Sequence, residues 1–241
     1  MRSCEIFGLE VALGTEDELF RAVRALIHKG GRVATVNPLM LMNAYESEEF
    51  FSVLSSFDLR IPDGFGVKLA ARLRGERTEV LAGVELGKML LSLGEVSLAL
   101  VGAVPGVAEA AMQSLLAEFQ QLRPAFVFDG YSYTVNGVRD ALLAHRPTLA
   151  YFCLSSPKQE ILISEAFSAS PGTLFIGLGG SLDVYSKRVR RAPKFLRRLH
   201  LEWLYRAVIQ PRRLLKIPKL FVFLYLSFRE RWAVLTKKSG A

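Results

Sequence analysis

The sequence predicts an α/β fold: a largely parallel sheet flanked by helices, with a C-terminal basic helical appendage. Two patterns and one charge asymmetry lead there. Short apolar runs alternate with segments of helical periodicity at the spacing of βαβ units. The later runs, at 96–101, 148–154 and 173–176, are apolar almost throughout, as parallel strands covered on both faces are. The basic residues gather at one end. Residues 187–241 hold 16 Lys+Arg against two acids, Glu202 and Glu230, a net +14; residues 1–186 hold 15 Lys+Arg against 21 Asp+Glu, a net −6. The α/β body is therefore assigned to 1–186 and the appendage to 187–241.

The elements follow in order. Residues 6–11 read as a strand, half of a hairpin. Thr15-Glu16-Asp17-Glu18 is a capping box, and Leu19, Val23, Leu26 and Ile27 continue at helical spacing until Gly30-Gly31. A strand at 32–36 ends in Asn37-Pro38; a helix at 39–45 and a second after Ser47 come next. The strand at 59–61 stops at Pro62, which cannot continue a central ladder, and a helix follows at 65–73. Further helices are expected at 83–93, from Gly106 to about residue 122, at 135–144, and from Ser155 onward. Strands fall between them at 96–101, 125–128, 148–154 and 173–176, the last ending in Gly177-Leu178-Gly179-Gly180.

Composition narrows the function classes. At 51% hydrophobic residues, the 241-residue chain can bury a large core. Cys4 and Cys153 form no metal or redox spacing, which fits a reducing compartment. No signal-peptide pattern opens the chain, and no apolar run approaches the ~20 residues of a bilayer span. An acidic body with a basic end implies a polyanionic partner: a membrane surface, a nucleic acid or phosphorylated substrates.

The polar residues stand at strand ends. Thr35 and Asn37 flank one exit and Asp63 another; Gly102 with Gly106, Asp129-Gly130-Tyr131, residues 155–160 and residues 177–183 mark the rest. In a parallel sheet these ends share one edge, where α/β proteins keep ligands. Asp63, at a strand end and a helix entrance, is open to two readings: a functional carboxylate, or an N-cap. Thr35 reads equally as an ordinary strand residue and Asn37 as an ordinary turn residue. The arrangement is Rossmann-like, yet the glycines make neither a dinucleotide fingerprint nor a Walker A loop. There is no Asp-x-Asp pair, no His/Cys cluster and no Ser/His/Asp triad.

Thr35-Val-Asn37, residues 62–67 (Pro-Asp-Gly-Phe-Gly-Val), Val101-Gly102-Ala-Val-Pro-Gly106, Gly130-Tyr131, Pro157-Lys158-Gln159-Glu160 and residues 177–183 occur in that order. Arg191-Ala192-Pro193-Lys194, residues 201–206 (Leu-Glu-Trp-Leu-Tyr-Arg) and Pro211-Arg212-Arg213 follow. In these motifs the chain resembles the WecG/TagA/CpsF family of bacterial glycosyltransferases, from about residue 3 to 213. The resemblance implies inverting, metal-independent transfer, without a cofactor, from a UDP-sugar to a sugar on polyprenyl (undecaprenyl) diphosphate. It leaves the donor sugar open among N-acetylmannosamine, its uronic acid and glucose. It makes Asp63 the general base and places Thr35 and Gln159 in the site. Arg191, Arg206, Arg212 and Arg213 match positions assigned to the lipid-linked diphosphate. Asn37, Gly64, Gly102, Gly106, Tyr131, Lys158, Gly179 and Asp183 are the further residues expected to touch substrate.

The expected setting is an anionic membrane surface, the cytoplasmic face of a bacterial inner membrane, bound peripherally, with a homo-oligomer left open. Two departures bear on loop shape and donor choice: Val-Tyr-Ser-Lys187 after Asp183, where the family commonly has Gly before a basic residue, and Ser155-Ser156 where Gly-x is usual. The alternative is a non-enzymatic nucleic-acid-binding protein using the basic tail, but the chain shows no binding motif or aromatic platform for that role. An oxidoreductase on the same fold lacks its fingerprint.

Overall fold

The computed structural model describes residues 1–193, 195–196, 205, 214–215 and 217–238. Its first element is an antiparallel hairpin, β1 (Arg2–Ile6) and β2 (Leu9–Leu13). The turn is Phe7-Gly8, both at positive φ, so the strand expected at 6–11 is two strands meeting at a glycine that tolerates φ +80°. Helix α1 (Glu16–Arg24) starts at Thr15 with the expected reciprocal capping box. The chain then runs through β3 (Gly31–Val36), α2 (Pro38–Glu46), α3 (Glu48–Ser55), β4 (Leu59–Pro62), α4 (Phe65–Leu73) and α5 (Gly83–Leu91). The second half is β5 (Val96–Gly102), α6 (Val107–Glu118), β6 (Leu122–Phe128), α7 (Val135–His145), β7 (Leu149–Cys153), α8 (Lys158–Ala166), β8 (Leu174–Gly177) and α9 (Ser181–Tyr185). Helix α6 ends earlier than periodicity implied, because Leu122 begins β6, whose exposed Pro124 sits safely on an edge strand.

Six strands form one parallel sheet in the order β4-β3-β8-β7-β5-β6. Alternate side chains feed two cores, as the period of two requires. Ala34, Val36, Val101, Phe152 and Phe175 face α2, α3, α7 and α8, while Val33, Leu98, Leu100, Tyr151 and Ile176 face α1, α5, α6 and α9. The β4 edge is blunted by the hairpin. There the half-buried Arg60 donates Nε to Glu10 O at 2.5 Å, and Nη1 to the carbonyls of Leu54, Ser55 and Phe57 at the end of α3.

The last described helix, α10 (Ile217–Lys238), is two-faced. Phe223 and Leu226 are buried in the first core, with Phe223 edge-on to Phe7 at 5.4 Å between centroids. Arg74 pairs with Glu230, and Lys219 Nζ reaches Asn43 Oδ1 at 2.7 Å and Glu46 Oε2 at 2.6 Å, tying α10 to α4 and α2. The opposite face exposes Phe221, Val222, Tyr225 and Phe228. Among the described residues no helix is long and apolar enough to cross a membrane.

Candidate active site

The carboxyl ends of the sheet strands share one edge, and every described candidate lies on it or just beyond. Strand β5 sends α6 into one core and β7 sends α8 into the other, so the connections diverge between these neighbours, the position where parallel α/β sheets bind ligands. Gly102 is needed for that junction. A Cβ there would stand 2.3 Å from Cys153 O, so the two strand exits touch through backbone and Gly102 serves packing first. Gly106 caps α6 in the left-handed region with open space around its α-carbon. Gly130 N donates to Ala103 O at 2.7 Å, which lays the turn bearing the exposed Tyr131 against the β5 exit. Asp129 accepts from the N–H groups of Tyr131 and Ser132 and from the Ser132 hydroxyl, bonds that hold its carboxyl below the usual range.

A tighter cluster forms at β4, β3 and β8. Asp63 is half-buried, and its N–H donates to Val36 O at 2.7 Å, which fixes the turn beside the β3 exit. The N-cap position of α4 is Gly64, at φ +92°, and Asp63 precedes it. Thr35, buried, donates Oγ1 to Gly177 O at 2.8 Å. Asn37 is the N-cap of α2; its Oδ1 accepts from Leu39 N at 3.0 Å and Met40 N at 3.1 Å. Gln159 is 3% exposed, and its Oε1 accepts from Gly179 N at 2.8 Å. Lys158 is exposed on the first turn of α8, and Asp183, half-buried on α9, helps burial raise the Cys153 thiol far above its ordinary range.

Residues 4–237 match the model of the glycosyl transferase WecG/TagA/CpsF family. The chain belongs to this family. Two relatives carry the name N-acetylglucosaminyldiphosphoundecaprenol N-acetyl-beta-D-mannosaminyltransferase. That from Bacillus spizizenii is 35% identical over 199 residues, 80% of this chain and 77% of its own. That from Bacillus subtilis is 34% identical over 197 residues, 79% and 77% respectively.

In this glycosyltransferase Arg191 forms an ion pair with Glu85 in the first turn of α5, while its buried Nε makes no hydrogen bond among the described residues. Arg206, Arg212 and Arg213 lie outside the described residues. Two features escaped the sequence reading. Gly83 opens α5 against Thr35, where a Cβ would sit 3.4 Å from Thr35 Oγ1, yet Ala82-Gly83 carries no polar signal. Glu160 reads as one letter of a motif, but it is wholly buried and accepts from Gln159 Nε2 at 2.7 Å.

Burial pushes the Glu160 carboxyl up to about 7. The folded state then holds this proton more tightly than the unfolded chain. Its stabilising contribution is full below the ordinary Glu range and is lost as pH rises through about 7. Glu160→Gln cannot titrate, so between pH 5 and 8 the wild type is expected to lose about 3 kcal/mol more than the variant. Thermal or urea unfolding at both pH values checks this; parallel pH profiles would reject it.

Proposed function

We propose that this enzyme transfers an N-acetylmannosaminyl group from UDP to N-acetylglucosamine carried on undecaprenyl diphosphate, inverting the anomeric carbon and needing no metal. One observation carries the reading: relatives named for that transfer to N-acetylglucosaminyldiphosphoundecaprenol align over about four-fifths of the chain. In the proposed step the acceptor hydroxyl oxygen attacks the anomeric carbon from the side opposite the UDP. The bond to the diphosphate oxygen breaks and its electron pair leaves with UDP. The hydroxyl proton passes to the Asp63 carboxylate. Thr35 and Gly64 shape the floor around that carboxylate, and the turns after β5, β7 and β8 offer backbone N–H groups to the leaving diphosphate. Arg191 and, in the proposal, Arg206, Arg212 and Arg213 take up the remaining charge.

In this proposal the reaction runs at a membrane surface. Helix α10 presents Phe221, Val222, Tyr225 and Phe228 outward, with Arg229 and Arg231 exposed alongside, a pattern suited to an interfacial helix. The test is a panel of UDP-sugars against undecaprenyl-diphosphate-linked N-acetylglucosamine. UDP-N-acetylmannosamine is expected to be the productive donor, giving an inverted linkage in the presence of EDTA. Transfer from UDP-glucose alone would overturn the sugar assignment. Loss of activity in EDTA, restored by Mg²⁺ or Mn²⁺, would overturn metal independence.

A further inference from the structure

Gln159 is almost inaccessible, and both ends of its amide are engaged inside the protein. Its oxygen accepts from Gly179 N at 2.8 Å, and its nitrogen donates to Glu160 Oε1 at 2.7 Å. The fit around it is close, because a Cβ on Gly177 would stand 2.4 Å from Gln159 Nε2. The same 177–180 turn is held from the other side by Thr35 Oγ1 on Gly177 O, and from within by Ser181 Oγ on Leu178 O at 2.7 Å. An amide can be turned end for end at little steric cost, so something must decide which end meets Gly179 N–H. Glu160 sets the preference: its Oε1 faces Nε2 and accepts from the nitrogen, and when ionised it also repels the amide oxygen. Burying a carboxyl with Oε2 unpartnered is costly, and the site holds it nonetheless. Ser156, also buried at its hydroxyl, faces the same carboxyl.

We propose that Glu160 is a positioning residue for glycosyl transfer, fixing the Gln159 amide so that it clasps the 177–180 turn against the β7 exit. Gln159 then acts through the turn and not by touching the sugar. The clasp spans β7 and β8, neighbours in the sheet, and it sets where the backbone of residues 177–180 stands relative to Thr35. This rests on the glycosyltransferase reading. An inactive wild-type enzyme on every lipid-linked acceptor would fault that reading, whereas active wild type with the wrong variant pattern faults the clasp alone.

The decisive experiment is a donor–acceptor exchange in the full-length protein. Gln159→Glu keeps an acceptor for Gly179 N–H but can meet Glu160 only by trapping a proton between two buried carboxyls, and kcat/KM is expected to fall at least tenfold. Adding Glu160→Gln restores one donor and one acceptor between the pair, and kcat/KM should return to within about threefold of wild type. Glu160→Gln alone can face Nε2 with either end of its amide, and its kcat/KM should fall between those of wild type and Glu160→Met. Glu160→Met keeps the volume without the acceptor; it is expected to lose at least tenfold while hydrogen exchange at Gly179 speeds up and the melting midpoint is maintained. If Glu160→Met does not fold, the exchange pair still decides the matter. No recovery in the exchanged pair, or full activity of Glu160→Met, would overturn the proposal and return Gln159 to direct substrate contact.

Discussion

Asp63→Asn is expected to lower kcat by ~10²-fold or more, with donor KM and melting temperature nearly unchanged. In the proposed step the carboxylate takes the acceptor proton as the new glycosidic bond forms, and an amide has no such basicity. The substitution is otherwise mild. Asn keeps the side-chain shape and one carbonyl oxygen, and the turn is held by Asp63 N–H on Val36 O, which both residues provide. Asn and Asp serve about equally at a helix entrance, so a role confined to holding the start of α4 would leave the rate nearly unchanged. Steady-state kinetics on UDP-sugar and lipid-linked acceptor give the answer. A rate within a few-fold of wild type would remove Asp63 from proton transfer and leave the strand edge without its base.

Replacing Phe221, Tyr225 and Phe228 together by Ser should abolish most binding to anionic liposomes. These side chains are 67%, 65% and 53% exposed and fall on one face of α10, opposite Phe223 and Leu226. If insertion buries about half of what full burial would, each contributes roughly 1 kcal/mol, and three together about a hundredfold in partitioning. The fold should survive, since none of the three is in the core. Substitution is a cleaner test than truncation, because cutting the chain before α10 would uncover Phe7 and the start of α4 around Gly66. Liposome co-sedimentation reads the effect, and added salt should weaken the wild-type binding by screening its cations. Unchanged sedimentation of the triple variant would make the outer face of α10 something other than a membrane contact.

Much of the architecture follows from local signals. The capping box at Thr15, Pro62 at the end of β4 and the glycines after β8 each act within a few residues, so periodicity and turn chemistry suffice to read them. The parallel sheet follows from apolar runs too uniform for a strand with one wet face. The motifs brought Asp63, Thr35 and Gln159 to one family resemblance, and the topology puts all three on one edge.

Other features depend on approaches between residues far apart in sequence. The order β4-β3-β8-β7-β5-β6 decides that Thr35 meets Gly177 and that Gln159 meets Gly179; no periodicity encodes strand order, because any parallel arrangement buries the same apolar faces. Gly102 offers its α-carbon to Cys153 O, a reason invisible in a motif that reads like a phosphate loop. Phe223 looks from sequence like one more aromatic in an amphipathic run, but it belongs to the core beside Phe7 and Gly66 while Phe221 and Tyr225 face out. Glu160 shows the division most plainly. By composition it is one more acid in an acidic body. Only the packing of α8 against the sheet takes its carboxyl out of water and sets it against the Gln159 amide, because desolvation is a property of the surroundings and not of the residue.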